Sequence, residues 1–185
     1  TVPVLWDKQT KRIVNNSEDD ICRMFNGEFS SPGGTPDLFP ADLAQEQDEL
    51  SALIYERVNN GVYRAGFATK QSVYEAAARR VFATLDTLDL RLADRRFLFG
   101  DRMVETDWRL FCTLIRFDAV YHGHFKCNVR RIVDYPHLQR YLRELYHLPG
   151  IADTVNFDHI KRHYYITHTE INPTQIVPIG PKLEL

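Results

Sequence analysis

Residues 2–27 read VPVLWDKQTKRIVNNSEDDICRMFNG. VPVLWD (2–7) and KRIV (11–14) are short β-type runs, and DKQT between them has the chemistry of a tight turn. The first half of the stretch therefore predicts a β-hairpin. NNSEDD then signals a helix start. Ser17 is a good N-cap, and Asp20, three residues on, resembles the acid of a capping box. Ile21, Met24 and Phe25 follow at helical spacing, and Gly27 is a natural stop. A two-stranded hairpin is marginal on its own. This one is expected to pair with strands encoded ahead of Thr1, so residues 1–29 read as the second half of a small α/β domain.

Beyond it, SSPGGTPDLFP (30–40) is a Pro-, Gly- and Ser-rich linker. The period then becomes helical and stays so through 41–185. In 41–58 the stripe is Leu43, Leu50, Leu53, Ile54 and Val58; in 71–92 it is Val73, Ala77, Val81, Leu85, Leu88 and Leu92. Residues 106–121 leave little polar face, which predicts a central, buried helix. Pro136 opens a helix over 136–147, a shorter one covers 157–166, and the Pro-rich tail INPTQIVPIGPKLEL reads as extended surface chain. The fold class is α+β: hairpin and helix, linker, then an all-α domain.

Composition narrows the function classes. The 185 residues carry a net charge of -2 with 44% hydrophobic content, which argues against nucleic-acid or anionic-membrane partners. No apolar run approaches the ~20 residues of a membrane span. Cys22, Cys112 and Cys127 are odd in number and far apart, so neither a disulfide framework nor a zinc ribbon is expected, and a cytoplasmic setting is the default. His159 and His163 share a helix face, and His122, His124 and Cys127 are close in sequence. Without a third ligand at regular spacing, no metal site is assigned. Cys127 stands alone in an aromatic stretch and reads as a small buried hydrophobe rather than a nucleophile.

The wording of the chain is more specific than its periods. VPVLWDK, IVNN, NNGVYRAGFAT, FLFGDR, RLFCTLIRFDAVYHGHFKCN, DYPHLQRYLRELY, DHIKRHYY and the INPT and IVP segments resemble, in this order, the glutathionyl-hydroquinone reductases, the Xi class of glutathione transferases. The resemblance runs over almost the whole chain and is weakest at 17–20 and 30–40. It implies the C-terminal half of a thioredoxin-like domain followed by an all-α glutathione-transferase domain. It also implies glutathione as co-substrate, a quinone or hydroquinone conjugate as substrate, and a homodimer. The family's nucleophile lies in a Cys-Pro-Trp-Ala motif that these 185 residues do not contain. The resemblance therefore implies that the nucleophile is encoded upstream and that this chain alone has weak or no turnover.

Residue by residue, the resemblance implies a cis Val2–Pro3 bond whose backbone clamps the cysteinyl part of glutathione. It implies a γ-glutamyl anchor at a helix start, where free N–H groups and the dipole favour an anion. Here the pair reads Ser17-Glu18, swapped from the family's Glu-Ser order, so an N-cap with dipole-complementing acids is an equal reading. Tyr63, between Gly61 and Gly66, is expected on a loop, with its hydroxyl at the substrate phenol. Tyr164 is the second such tyrosine, and Tyr165 an alternative one position on. Arg116, Tyr121, His124 and Lys126 are pocket candidates, the competing reading being a buried polar cluster with Arg116 paired to Asp118 or Asp107. Val104-Glu105-Thr106-Asp107 keeps the acid of a helix-opening box and loses its hydroxyl, leaving Thr106 to cap one turn later. Two rival functions stand beside the reductase: a non-catalytic interaction module, and a thioltransferase of the related Omega class.

Overall fold

A computed structural model describes residues 2–29, 34, 36–183 and 185. Of the linker expected at 30–40, residues 30–33 and 35 lie outside the described residues. The chain divides into two compact units, Thr1–Gln45 and Glu46–Leu185.

In the first unit, β1 (Leu5–Asp7) pairs antiparallel with β2 (Arg12–Asn15), with Trp6 opposite Ile13. Asp7 makes the turn. One carboxylate oxygen accepts the N–H of Gln9 at 2.8 Å and the other the Thr10 hydroxyl at 2.6 Å, the local closure expected of Asp in a turn. Trp6, Ile13 and Val14 are all half or more exposed. Helix α1 (Glu18–Gly27) starts at Ser17, whose Oγ accepts the N–H of Asp20 at 3.3 Å. The capping box does not close as expected. Asn15 Oδ1 takes the Ser17 N–H at 2.7 Å, and the Asp20 carboxylate accepts instead from Asn15 Nδ2 at 3.0 Å. At the far end, Asn26 ties the following segment through Pro36 O and the Leu38 N–H, and the Arg23 guanidinium lies 4.5 Å over the Phe39 ring.

In the second unit, α2 (Ala44–Ile54), α3 (Gly61–Gly66), α4 (Gln71–Arg91), α5 (Glu105–Arg116), α6 (Pro136–Tyr146) and α7 (Phe157–Thr167) surround one core. The helical stripes are borne out at Ile54, Val58, Val81, Leu85, Leu88, Leu92, Leu110 and Leu114, each at most 1% exposed. Val73, in the first turn of α4, is 50% exposed and outside the core. The helix expected over 41–58 is three pieces: a 3₁₀ turn at Ala41–Leu43, then α2, then a π turn at Tyr55–Asn59. A second π turn, Phe117–Tyr121, continues α5. Asn60 N–H bonds to Tyr55 O and His122 N–H to Phe117 O, both at 2.9 Å. Such i→i+5 turns insert a residue and re-aim the side chains that follow. Here they precede Tyr63 and end at Tyr121.

Tyr63 is on helix α3, not on a loop. Its flanking glycines serve close approach rather than turning. A Cβ on Gly61 would lie 2.9 Å from Val81 Cγ2, and one on Gly66 only 2.2 Å from the Phe125 ring. At the start of α5 the Asp107 carboxylate accepts the Val104 N–H at 2.9 Å, so the acid half of the box forms. Thr106 does not cap, because its hydroxyl bonds Ser51 Oγ at 2.7 Å. The tail runs without regular structure along the unit, tied by Lys161 Nζ donating to Pro178 O at 2.7 Å and by Leu183 and Leu185 packing on the core.

A candidate active site of three tyrosines

Three helical segments bring phenols together. Tyr63 comes from α3, Tyr121 from the end of the second π turn, and Tyr164 from α7. The Tyr164 hydroxyl lies 2.6 Å from that of Tyr63 and 2.8 Å from that of Tyr121. Exposure falls along the chain of hydroxyls: 37% at Tyr63, 5% at Tyr164 and 2% at Tyr121. Burial, before any other cause, pushes the Tyr121 and Tyr164 phenols well above the ordinary range, so both stay protonated at neutral pH.

The burial gradient favours one direction for the hydrogen bonds. Three hydroxyls hold three protons, and the two contacts use two of them. If the donors pointed inward, the leftover O–H would be that of Tyr121, buried and unpaired, at a cost of about 1–3 kcal/mol. Pointing outward, Tyr121 donates to Tyr164 and Tyr164 to Tyr63, leaving the Tyr63 O–H free at the exposed end. Each bond polarises the next. The trio thus presents one strengthened phenol donor to whatever occupies the open side of Tyr63.

Phe125 is the hub of the cluster. It is 0% exposed, stacks on Tyr121 at 5.4 Å and 14°, and meets Tyr63 and Tyr164 edge-on. Arg116, the last residue of α5, donates to the Cys112 carbonyl. Its expected acid partners are engaged elsewhere: Asp118 accepts the N–H groups of Ile132 and Val133, and Asp107 those of Leu98 and Val104. The Arg116 charge is felt at Tyr164, where it slightly favours the phenolate. His124 and Tyr165 share a second cluster, rings 4.6 Å apart. Lys126 is exposed on left-handed backbone, φ 59°, with its carbonyl bonded by the Tyr74 hydroxyl at 2.7 Å. The structure therefore joins Tyr63, Tyr121 and Tyr164, sets His124 and Tyr165 beside them, and leaves Lys126 on the surface. Phe125 and His168 belong to the cluster and went unread in the sequence. The aromatic-histidine density of 121–125 was the only available signal.

In the first unit the Val2–Pro3 peptide is cis, and Val2 is 90% exposed. Ser17 spends its hydroxyl on the helix start, and Glu18 is exposed at the first turn of α1. Burial pushes the Cys127 thiol up to about 12, which makes it a poor nucleophile. Among the described residues, no group of three or more His, Cys, Asp or Glu could hold a metal ion, and no helix is long and apolar enough to cross a membrane.

The site carries an acid sensitivity. Burial, then His168 and Lys126, hold the His124 imidazole down to about 4. The unfolded chain takes up that proton near pH 6.5 and the folded chain only near 4. Stability therefore falls as pH drops through that window, by about 1–3 kcal/mol. Thermal melts from pH 7 to 4 should show this fall, and His124→Gln should flatten it.

A family model described as the glutathione S-transferase C-terminal domain matches residues 71–144. The chain is 52% identical over 182 residues to the glutathionyl-hydroquinone reductase PcpF of Sphingobium chlorophenolicum, covering 98% of this chain and 58% of that protein. Among solved structures, it superposes with a TM-score of 0.95 on glutathione-bound YqjG, a glutathione transferase homologue from Escherichia coli K-12. That match is at 50% identity and covers 100% of this chain and 60% of that one. The glutathione S-transferase Xi of Phanerochaete chrysosporium follows at 0.94, with 50% identity, 98% of this chain and 60% of that one. The chain thus spans under two thirds of the length of each.

Proposed function

This chain belongs to the Xi-class glutathione transferases, the glutathionyl-hydroquinone reductases, over the stretch it shares with them, and we propose that it supplies the substrate-side half of their chemistry. The reaction is glutathione-dependent reduction of a glutathionyl-hydroquinone. A cysteine thiolate attacks the thioether sulfur, a sulfur–cysteine bond forms, and the sulfur–aryl bond breaks. The aryl carbon leaves with the electron pair and takes up a proton, giving the free hydroquinone. A second glutathione resolves the Cys–glutathione disulfide by exchange. Electron density grows on the departing aromatic ring and its oxygens. The outward O–H of Tyr63, backed by Tyr164 and Tyr121, is suited to donate to that oxygen. The observation that carries the reading is the row of three hydroxyls, 2.6 and 2.8 Å apart, whose most exposed member is Tyr63.

The first unit would bind the tripeptide: the Val2–Pro3 backbone at its cysteinyl part, Ser17 and Glu18 at its γ-glutamyl group. Because Ser17 already caps α1 and three acids crowd the first turn of that helix, weak glutathione binding is expected. A homodimer and a cytoplasmic setting belong to the same proposal, on family likeness alone.

Two titrations of the chain test the two units separately. Menadiol should bind the second unit and perturb amides around Tyr63 and Tyr164. Tyr63→Phe should weaken it roughly tenfold, the worth of one hydrogen bond of about 1–1.5 kcal/mol. Menadiol binding equally well to Tyr63→Phe would remove the phenol role. Glutathione should perturb Val2, Ser17 and Glu18, and perturbation confined to other residues would remove the clamp. These 185 residues contain no Cys-Pro-Trp-Ala motif. Hydroquinone release from glutathionyl-menadiol by this polypeptide alone, at an enzymatic rate, would show that the nucleophile lies among Cys22, Cys112 and Cys127 after all.

A further inference from the structure

Beside the three tyrosines lies a pair of imidazoles that the proposed chemistry does not use. His124 is 4% exposed, and its Nε2 lies 3.2 Å from Nδ1 of His168. The two rings are 23° from parallel with centroids 5.4 Å apart. At that distance one nitrogen must carry the proton and the other the lone pair, so the pair bonds when at least one ring is neutral.

His168 directly follows α7, and its N–H bonds the Tyr164 carbonyl at 3.3 Å. Its ring meets the Tyr164 ring edge-on, at 89° and 5.4 Å. Phe125 and Tyr121 meet the same ring at 80° and 86°. Tyr164 is therefore walled by these three rings, beside the tilted ring of Tyr63 at 6.3 Å and the exposed ring of His163 on its own helix at 82° and 5.1 Å. Two of the walls, Phe125 and Tyr121, are locked by burial in the core. The third, His168, is only half-buried. It stacks on Phe125 at 5.9 Å and 11° and touches Phe67 edge-on, but stacking leaves a ring free to slide in its own plane. The bond to His124 is directional and holds it in that plane.

We infer that His168, held by its hydrogen bond to His124, is a positioning residue for Tyr164: the joined pair fixes the third wall and so sets where the Tyr164 hydroxyl lies between Tyr63 and Tyr121. The inference rests on the proposed role of Tyr164. Each element around the pair contributes to its charge balance. The loop after the second π turn brings Lys126, and α7 brings His163 with the phenols of Tyr164 and Tyr165. The segment beyond α7 brings Glu170, and the end of α3 brings the neutral ring of Phe67. Burial, Lys126 and His163 oppose a proton on the pair, and Glu170 favours one on His168. At pH 7 the pair is neutral and joined. In acid both rings become donors without a lone pair, and the bond is lost.

The test follows the Tyr164 ring by NMR in the chain labelled with ¹³Cε tyrosine. Tyr164→Phe assigns the signal, and the imidazole Cε1–H signals are recorded in the same samples. In the unsubstituted chain the Tyr164 signal should hold its position while either imidazole stays neutral and move with the second of the two to take up a proton, which is His124 near pH 4. His168→Leu fills the space without a nitrogen. It should displace or broaden the Tyr164 signal already at pH 7 and abolish the acid step. His168→Gln returns an amide to His124 and should restore the pH 7 position. An unmoved Tyr164 signal in folded His168→Leu overturns the inference. So does titration of both imidazoles without movement of Tyr164 in the unsubstituted chain, a result available even if the Leu variant does not fold. The readout is ring position, not ligand binding. Failure here leaves the menadiol result standing, and failure of menadiol to bind leaves this one standing.

Discussion

Asp107→Ala destabilises the helical unit by about 3–5 kcal/mol, the expected cost of stranding several buried donors at once. The Asp107 carboxylate is 0% exposed and accepts from three segments. These are the Leu98 N–H at 3.0 Å from the turn before α5, the Val104 N–H at 2.9 Å from the α5 start, and the Tyr141 hydroxyl at 2.9 Å from α6. Alanine leaves the Leu98 and Val104 N–H groups with no acceptor among the described residues, and the Tyr141 hydroxyl with only the Asp107 carbonyl at 3.2 Å. At about 2–4 °C per kcal/mol for a chain of this size, the melting temperature should fall on the order of 10 °C. Asp107→Asn keeps one acceptor oxygen but sets an NH₂ against a donor, and should fall between the two. A melting temperature within about 2 °C of the unsubstituted chain for Asp107→Ala would mean that water replaces the carboxylate and that the knot is not what joins α5 to α6.

The second large effect is expected at Gly66. A Cβ there would sit 2.2 Å from Phe125 Cδ1, 2.3 Å from Cγ and 2.8 Å from Cβ. The obstacle is the root of a ring, not the end of a flexible chain. Phe125 has no free direction to yield, being stacked on Tyr121 and His168 and edged by Tyr63, Phe67 and Tyr164. Gly66→Ala should therefore cost about 3 kcal/mol, the upper end of overpacking, even after the ~1 kcal/mol that alanine gains over glycine in a helix. Whatever movement relieves the clash must displace the tyrosines, so menadiol binding should fall with stability. Gly61→Ala is the control. Its Cβ would meet one methyl, Val81 Cγ2, at 2.9 Å, and the helix gain should bring the net change to within about 1 kcal/mol of zero. Equal melting temperatures for the two variants would show that α3 can lift off Phe125 freely.

These contrasts bear on what could be read without coordinates. The hairpin, α1 and the helical stripes were legible because turn residues, caps and apolar spacing act within a few residues. Tyr63 is a site candidate through family wording alone, and the structure sets it on a helix rather than on the loop its flanking glycines suggest. Gly61 and Gly66 look like loop punctuation, yet each is small because another helix or ring comes close. Ser17 was legible as a cap, but the partner of Asp20 was not, since Asn15 and Ser17 compete for the same short hydrogen bonds.

Taken alone, the sequence determined the hairpin, α1, the long helices with most of their core-facing stripes and the absence of a Cys-Pro motif, because those are local properties or plain counts, but not α3 or the two π turns. Only the tertiary structure decided that hydroxyls 101 and 43 residues apart lie within 2.8 Å of one another. It alone decided that the buried end of that row is Tyr121 and that His124 Nε2 faces His168 Nδ1. Those distances depend on how α3, α5 and α7 pack and on two π turns that re-aim the side chains after them. No periodicity records a single inserted residue in a helical turn, and hydrogen bonding is decided over tenths of an ångström.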